Sequence, residues 1–461
     1  MKTLRDPDRL LTEGLAAIRG QFKVPGDFPP AVTAAAGAAA DKPLAAHADR
    51  TAMPFVTLDP ASSTDLDQAF TIEAAGSDLL LHYAIADVAW FVADGDPLDT
   101  EAWNRGETLY LPDGKAGLYP RALAEGAASL LPDGPRPAVI FTTRVAPDGA
   151  VKLAGAERGI IRSRAQLAYE TATEAQLPAG FADLAGRITG AEAARGAARV
   201  DAPEQIVEHD GAGHFTLTLR PQALAEQRNA ALSLATNLAV ADALHAAKTG
   251  LFRVMAGPDG RATARLRYTA RAFGLAWAEG QTLDQFAATL DPADAHAAAF
   301  MLAIRRAGQG ASYVPYQEGV KPWHAAMAAT YCHMTAPLRR LADRYVIRAA
   351  LAVANGQAVP AEVTDAFARL GPVMGKADAR ANQIDRAVID LAEAAVLSGR
   401  EGESFAAVVT DVDENGTRIQ LRDVPVVARV TARGAAPGDK LTVRLQAADP
   451  ILRQVSFARI A

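Results

Sequence analysis

Three aspartates lie close together in a short loop between two apolar segments. Asp59, Asp65 and Asp67 follow residues 54–58, which predict a buried strand, and precede residues 69–73, which predict another. Carboxylates at this spacing repel one another and stay ionised together most simply when a divalent metal lies between them. Oxygen ligands favour Mg²⁺ or Mn²⁺, and such a site suits hydrolysis of phosphodiesters. Because Asp, Ser and Pro are also turn residues, a solvated turn is the alternative interpretation.

A second dense segment combines a turn signal with adjacent arginines. Pro337 follows Thr335 by two residues and resembles a helix start with proline in the first turn. Arg339 and Arg340 would then lie near a positive helix end, where an anion such as phosphate would compensate them. Residues 335–386 carry eight Lys or Arg and five acids, a local basic patch. A solvated helix face with i,i+4 ion pairs is the alternative.

Motifs and composition exclude several classes of protein. The chain contains no phosphate-binding Gly-x-x-x-x-Gly-Lys-Ser/Thr string. A calcium-binding loop of the EF-hand type that started at Asp65 would need Gly at its sixth position and Glu at its twelfth, but these positions hold Phe70 and Gly76. The single Cys332 excludes an intramolecular disulfide and a Cys-based zinc finger. With no apolar run long enough to span a membrane and no signal-peptide core, we expect a cytoplasmic protein. At a net charge of −6, any nucleic-acid binding must use locally concentrated Lys and Arg.

The elements that position these residues change in character along the chain. Residues 1–20 predict a short amphipathic helix. Residues 54–92 and 138–162 predict strands, the latter with a hairpin turn at 147–149, whereas 93–135 predict ordered loops and short helices. Helical periodicity is found in the segments 165–200, 222–248, 262–309, 321–357 and 360–400. The predicted fold class is therefore α+β, with a β-sheet packed against helices. The last 60 residues return to short strands, with a hairpin turn at Asn415-Gly416, and fit a small β-barrel of the oligonucleotide-binding or SH3-like type. We expect three regions, a helical 1–49, a catalytic 50–399 and a barrel 400–461.

Taken together, these segments resemble the ribonuclease II / ribonuclease R family, whose catalytic unit is the RNB domain. Residues 57–69 resemble its T-I-D-x-x-x-x-x-D-x-D-D-A pattern, and residues 331–348 are similar to Y-x-H-F-T-S-P-I-R-R-Y-x-D-x-x-x-H-R. Residues 84–88, 106–112 and 384–386 are similar to the family's I-A-D-V, R-G-x-S-x-Y-L-P and A-E-R strings, and the tail resembles its S1 barrel.

The resemblance implies a processive 3′→5′ exoribonuclease that hydrolyses single-stranded RNA to 5′-mononucleotides with Mg²⁺, Mn²⁺ being a substitute. It implies that Asp59, Asp65 and Asp67 hold metal and activated water. Arg339 would stabilise the reacting phosphate, and Tyr110 would stack on the terminal base. The other residues expected to contact RNA are Arg340, Asp385 and Phe252, and for Phe252 a place in the core is the alternative.

Two departures from the family pattern matter. Gln68 replaces the fourth aspartate; its amide oxygen could still be a metal ligand, but the lost charge should weaken metal affinity. About 50 residues precede the acidic loop, too few for the two cold-shock-like barrels usual in the family. We therefore expect RNA guidance from the S1 barrel and the catalytic surface.

Two other functions compete with the exoribonuclease. One is a catalytically silent RNA-binding protein with a metal site impaired by Gln68. The other is a DNA exonuclease or another metal phosphodiesterase using the same site. For the leading hypothesis we expect single-stranded RNA as partner, no membrane, no obligate protein partner and a monomer.

Overall fold

The computed structural model describes residues 2–5, 10–197, 204–209, 214–220, 222–287, 289–291, 294–307, 310–413, 416–436 and 438–460. The predicted α+β class is confirmed. None of the helices in these ranges is both long and apolar enough to cross a lipid bilayer.

The first 49 residues contain strand as well as helix. The predicted amphipathic helix begins only at Leu10, and it buries Leu11, Leu15 and Ile18 as the helical spacing indicates. Residues 2–5 instead form a strand, because they pair with a later strand near Leu217. The elements of this segment are β1 (Lys2–Arg5), α1 (Leu10–Gln21), α2 (Pro30–Ala40) and β2 (Ala48–Asp49).

Residues 50–168 build the sheet that carries the acidic loop. The elements are β3 (Thr57–Asp59), β4 (Gln68–Ala75), β5 (Asp78–Ala86), α3 (Val88–Phe91), α4 (Pro97–Arg105), β6 (Arg136–Val145), β7 (Val151–Ile161) and β8 (Gln166–Ala168). A five-stranded sheet has the order β2-β7-β6-β5-β4, with antiparallel neighbours except for the parallel pair β2 and β7. The predicted hairpin turn at 147–149 joins β6 to β7, and Gly149 adopts a φ of 79° there. β3 pairs with β8 in a separate parallel ladder.

Residues 169–354 are mainly helical. The elements are α5 (Phe181–Ala194), β9 (Glu204–His209), β10 (His214–Arg220), α6 (Leu224–Ala246), β11 (Leu251–Val254), α7 (Gly260–Ala272), α8 (Leu283–Ala287), α9 (Ala295–Ala307), β12 (Ser312–Pro315) and α10 (Leu341–Ala354). The helices α6 and α10 pack on the central sheet, and the main hydrophobic core lies between them. The predicted helix over 262–309 is broken into three pieces; the first ends before Gly274, which adopts a φ of 70°.

A long helix, α11 (Ala361–Leu397), joins this catalytic region to the barrel. Near its end, Glu393 is buried and its Oε1 accepts hydrogen bonds from Gln205 Nε2 (2.6 Å) and Val427 N (2.7 Å). One carboxylate therefore ties α11 to β9 and to the barrel. β9 in turn belongs to a small sheet of order β1-β10-β9.

The C-terminal barrel has the predicted S1-like form. Its strands are β13 (Ser404–Asp413), β14 (Gly416–Leu421), β15 (Val427–Val430), β16 (Lys440–Asp449) and β17 (Gln454–Arg459). They follow the order β15-β14-β13-β16-β17, and β15 approaches β17 so that the barrel is nearly closed. Alternate residues of β14 are buried, as expected for a strand with one face on a core. Asn415 of the predicted hairpin turn lies outside the described residues.

Candidate active site

The acidic loop is held in place by a buried leucine between two of its aspartates. Leu66 is fully buried, its N–H donates to Ser129 Oγ (2.9 Å), and its carbonyl accepts from Leu130 N (3.0 Å). Its neighbours Asp65 and Asp67 both line one cavity. Asp59 reaches the same place from the end of β3.

A cavity of about 440 Å³ gathers most of the predicted site residues. Tyr110 and Arg339 lie in its wall with the acidic loop, although they are far apart in sequence. The backbone explains this, because Thr108 N donates to Arg339 O (2.9 Å) and Glu107 forms a bridge with Arg340. The predicted site residues that line the cavity are Asp59, Asp65, Asp67, Gln68, Tyr110 and Arg339.

The turn that carries Arg339 differs from the sequence prediction. The helix α10 begins at Leu341, so Pro337 and Arg339 lie in a turn before the helix rather than in its first turn. Arg339 is 44% exposed, and its Nε lies 3.4 Å from Asp67 Oδ2. The guanidinium therefore faces both the carboxylate and the open cavity.

Asp67 and Asp59 are buried carboxyls with unusual acidities. Asp67 is only 4% exposed, and its Oδ1 accepts a hydrogen bond from Leu338 N (2.7 Å). Burial raises the pKa of Asp67 to about 7, although Arg339 opposes the rise. Burial likewise raises the pKa of Asp59 to about 6, and its Oδ2 has no hydrogen-bond partner. A nearby cation would therefore favour the ionised form of both groups.

Asp65 is paired within the protein. Its Oδ1 lies 2.8 Å from Lys115 Nζ, and its Oδ2 accepts a hydrogen bond from Tyr110 OH (3.2 Å). Lys115 also pairs with Glu125 at 3.1 Å. In the described part of the chain, no three His, Cys, Asp or Glu side chains converge into a ready-made metal site.

The side chains present nevertheless suit a hard divalent ion. Mg²⁺ commonly takes one or two carboxylates and completes its shell with water and substrate phosphate oxygens. Asp59 and Asp67 supply two carboxylates, and the unpartnered Oδ2 of Asp59 is a buried lone-pair donor suited to a cation. Lys115 and Tyr110 would compete with a metal for the oxygens of Asp65.

The side-chain oxygen of Gln68 forms a hydrogen bond within the protein. Its Oε1 accepts a hydrogen bond from the hydroxyl of Tyr83, a residue that is fully buried. The contact follows from strand register, because Gln68 pairs with Ile85 and Tyr83 is therefore its diagonal neighbour on the same face. This contact uses one of the two lone pairs of the amide oxygen, and Gln68 lines the cavity, so its role as a metal ligand stays a prediction.

Three predicted RNA-contacting residues do not line the cavity. Arg340 is paired with Asp343 at 2.7 Å, and Asp343 also accepts from Ala336 N (2.9 Å), so this arginine fixes the turn. Phe252 is fully buried against the ring of His245, and it is a core residue rather than an exposed stacking platform. Asp385 lies on the exposed side of α11, away from the cavity lining.

Other residues of the cavity wall were missed by the sequence analysis. Asn229 donates to Leu58 O (3.2 Å) and to Tyr169 OH (3.1 Å), which supports the strand that ends at Asp59. Ser233 is 2.9 Å from Thr335 in the arginine segment. The sequence did contain a signal, because polar residues recur every three or four positions from just before the Ala- and Leu-rich helix α6 into its first turns. The polar residues of this stripe in the cavity wall are Gln222, Glu226, Asn229 and Ser233.

Comparison with known families matches the two halves of the chain separately. The RNB domain matches residues 48–355, and the RNase II-type exonuclease C-terminal S1 domain matches residues 403–460. The chain is 28% identical over 415 residues to Exoribonuclease 2 of Cronobacter sakazakii, covering 83% of this chain and 62% of that protein. It is 27% identical over 393 residues to Ribonuclease R of Aquifex aeolicus, covering 80% of this chain and 55% of the relative. The chain thus spans little more than half the length of these relatives.

Solved structures share the fold at low sequence identity. Mycoplasma genitalium RNase R in complex with ribose methylated single-stranded RNA has a TM-score of 0.84 at 18% identity, covering 98% of this chain and 78% of that chain. Yeast Ssd1, a pseudonuclease, has a TM-score of 0.71 at 15% identity, covering 95% of this chain and 57% of that chain. Because the RNB domain alone accounts for more than half of the residues, the chain belongs to the RNB family, with an RNase II-type S1 domain following the RNB domain.

Proposed function

We propose that this protein is a metal-dependent 3′→5′ exoribonuclease that degrades single-stranded RNA processively to 5′-mononucleotides. The observation that carries the proposal is the placement of Arg339 beside Asp67 in a cavity that also contains Asp59, whose buried oxygen has no partner. Two carboxylates and one guanidinium around an open cavity suit a phosphodiester better than an uncharged substrate. The names of the relatives, Exoribonuclease 2 and Ribonuclease R, support RNA as that phosphodiester.

Each side chain has a distinct part in this reaction. Asp59 and Asp67 would hold Mg²⁺, which when bound supplies Lewis-acid stabilisation of phosphoryl oxygens and a water of lowered pKa. Arg339 donates to the non-bridging oxygens of the scissile phosphate, where negative charge increases in the transition state. Its exposure allows the phosphate to approach Arg339 from the open side of the cavity.

Tyr110 would receive the 3′-terminal base. It is 48% exposed, and its hydroxyl donates to Asp65, so the ring is oriented while about half of the residue stays accessible. Stacking on an aromatic ring is tolerant of base identity and suits an enzyme that removes every nucleotide in turn. We place Gln68 beside the reacting groups with its side-chain oxygen held by Tyr83, and its role as a metal ligand stays a prediction.

A catalytically silent RNA-binding protein is the second candidate. The engagement of the Gln68 oxygen and the pairing of Asp65 with Lys115 favour it, because both reduce the oxygen ligands available to a metal. The similar fold of Ssd1, described as a pseudonuclease, is consistent with it. Against it stand Asp59 and Asp67, whose burial raises their pKa values and which a purely binding surface does not need.

The deciding experiment follows a 5′-labelled single-stranded RNA with and without Mg²⁺, beside the matched DNA oligomer. We expect metal-dependent shortening from the 3′ end, little cleavage of DNA, and loss of cleavage in Asp67→Asn. Asp41→Asn, at an exposed position after α2, is the control for removing one carboxylate. Excess unlabelled RNA added after the start tests processivity, since a processive enzyme finishes the strand that it already holds.

The alternatives predict different results. RNA binding without cleavage over a range of Mg²⁺ and Mn²⁺ would establish the silent protein, and equal cleavage of DNA would establish a less selective phosphodiesterase. If the wild type does not cleave, the variant Gln68→Asp tests whether the missing charge at position 68 is the reason. Restored cleavage would identify the neutral side chain as the cause of the lost activity.

A further inference from the structure

Three helices, α7, α8 and α9, lie between β11 and β12 in the chain and are called the three-helix insertion. The helices α7, α8 and α9 pack around a small apolar cluster of their own, separate from the main core. The insertion is anchored beside the active site, because Arg253 N in β11 donates to Tyr331 O (2.9 Å) in the segment that leads to Arg339. The buried residues of the cluster are Leu266, Ala270, Phe273, Phe286, Phe300 and Ile304.

The helix α7 has one face in this cluster and the other in solvent. Leu266 and Ala270 are buried. Arg261, Arg265 and Tyr268 recur at spacings of four and three residues, so they form a stripe along the exposed face. Arg271 continues the stripe and lies 5.7 Å from the ring of Tyr268, which is 71% exposed. We refer to Arg261, Arg265, Tyr268 and Arg271 as the α7 stripe.

The charge of this helix is unbalanced. It contains four arginines and no acid, in a chain whose net charge is −6. Arg267 is used internally, because it donates to Gln281 O (2.9 Å) and stacks 4.1 Å from Trp277. The three arginines of the stripe form no ion pair with any acid in the described ranges. An ordinary solvated helix face intersperses both signs of charge, so this stripe indicates an anionic partner.

The chemistry of the stripe distinguishes among anionic partners. A membrane-surface helix would have to present an apolar face, but the apolar face of α7 is buried in the cluster. Guanidinium groups alternating with an exposed aromatic ring are suited to a strand that offers both phosphates and bases. From Arg261 to Arg271 the stripe extends about 15 Å, at roughly 1.5 Å per helical residue.

We infer that the α7 stripe is a second binding site for single-stranded RNA, outside the active-site cavity. The arginines bind backbone phosphates, and Tyr268 stacks on a base. This inference rests on the proposed function. It adds a contact that holds the strand on the catalytic domain independently of the barrel.

The test is the salt dependence of RNA binding in EDTA, where metal-dependent cleavage is prevented. A fluorescent single-stranded RNA is titrated with the wild-type chain and with Arg261→Gln/Arg265→Gln/Arg271→Gln. Each phosphate neutralised on a single strand contributes about 0.7 to the slope of log K against log[salt]. Loss of three contacts should reduce that slope by about 2 and weaken binding about 100-fold near 0.1 M salt.

Matched variants separate charge from folding and stacking. The triple Arg→Lys variant at the same positions keeps the charge and the helix propensity, so its slope should stay close to that of the wild type. Tyr268→Leu should leave the slope unchanged and weaken binding roughly 5- to 100-fold, as expected for loss of one stacked base. Circular dichroism checks that all variants retain their helices.

An unchanged slope in the triple Arg→Gln variant, with RNA still bound, would overturn the inference and leave the proposed function intact. Failure of the wild-type chain to bind RNA at all would instead overturn the proposed function. The two failures are therefore distinguishable in one titration series.

Discussion

Replacement of Asp67 by Asn should stabilise the metal-free protein at pH 8 while removing activity. The cause is the burial of this carboxyl, which raises its pKa from 3.8 to about 7. Each unit between the folded and unfolded pKa values corresponds to about 1.36 kcal/mol, so the ionised form costs the apo protein at most about 4 kcal/mol. Asparagine keeps an oxygen that can accept from Leu338 N, and it carries no charge to bury.

The pH dependence of the free energy of unfolding determines in which direction the stability difference between wild type and Asp67→Asn changes. Between pH 3.8 and about 7 the unfolded wild type binds fewer protons than the folded one, so its stability falls as pH rises through that window. The Asp67→Asn variant lacks this loss of stability, because it has no carboxyl group at position 67. Its advantage should therefore grow by about 3 kcal/mol between pH 5 and pH 8 and become constant above the folded pKa.

The assay is thermal unfolding in EDTA at a series of pH values, with Asp41→Asn as the control for an exposed carboxylate. We expect the unfolding midpoint of Asp67→Asn to exceed that of the wild type by several degrees at pH 8 and by clearly less at pH 5. Added Mg²⁺ should restore the wild type and leave the variant almost unchanged. A variant that is destabilised equally at both pH values would refute the reasoning, because its carboxyl would then be a favourable structural group.

Three further predictions concern residues of the cavity wall and their immediate neighbours. Arg339→Gln should lower kcat about 10²- to 10³-fold, as expected for the loss of one hydrogen-bond donor to the transition state. Arg340→Gln should mainly lower the unfolding midpoint, because the guanidinium of Arg340 pairs with Asp343. Steady-state kinetics measure the first effect and thermal unfolding measures the second. Tyr110→Ala should weaken RNA binding by about 1–3 kcal/mol in a titration in EDTA, and Tyr110→Phe should retain most of the affinity because the ring persists. Lys115→Met releases Asp65 from its 2.8 Å ion pair, and Mn²⁺ titration followed by electron paramagnetic resonance should then detect tighter binding; unchanged affinity would mean that Asp65 does not reach the metal.

The sequence was most informative where the determinants are local. The cluster of Asp59, Asp65 and Asp67 in one short loop predicted a shared acidic site, and all three line one cavity. The short strands of the last 60 residues likewise predicted the barrel, because a half-buried strand has a period of two wherever it occurs. Arg339 was identified as a candidate phosphate ligand near a helix start, and it does line the cavity, although it lies in a turn before α10.

The sequence did not predict the directions of individual side chains or the contacts between residues that are far apart in the chain. Arg340 adjoins Arg339 in sequence, yet its guanidinium faces Asp343 because the chain turns between the two. Phe252 was expected to stack on RNA bases, but strand β11 places its ring in the core. The contact of Gln68 with Tyr83 required the register of the β4–β5 hairpin, which the spacing of apolar residues does not specify to one residue.

The connection between α11 and the barrel has a consequence for how the two domains unfold. The helix is 37 residues long, and the buried Glu393 near its end accepts hydrogen bonds from β9 and β15. The same helix packs on Leu109 and Ala116, which flank Tyr110 of the cavity wall in sequence. The barrel is therefore connected to the RNB domain by buried contacts rather than by a flexible tether. We expect the two domains to unfold in a single transition rather than separately.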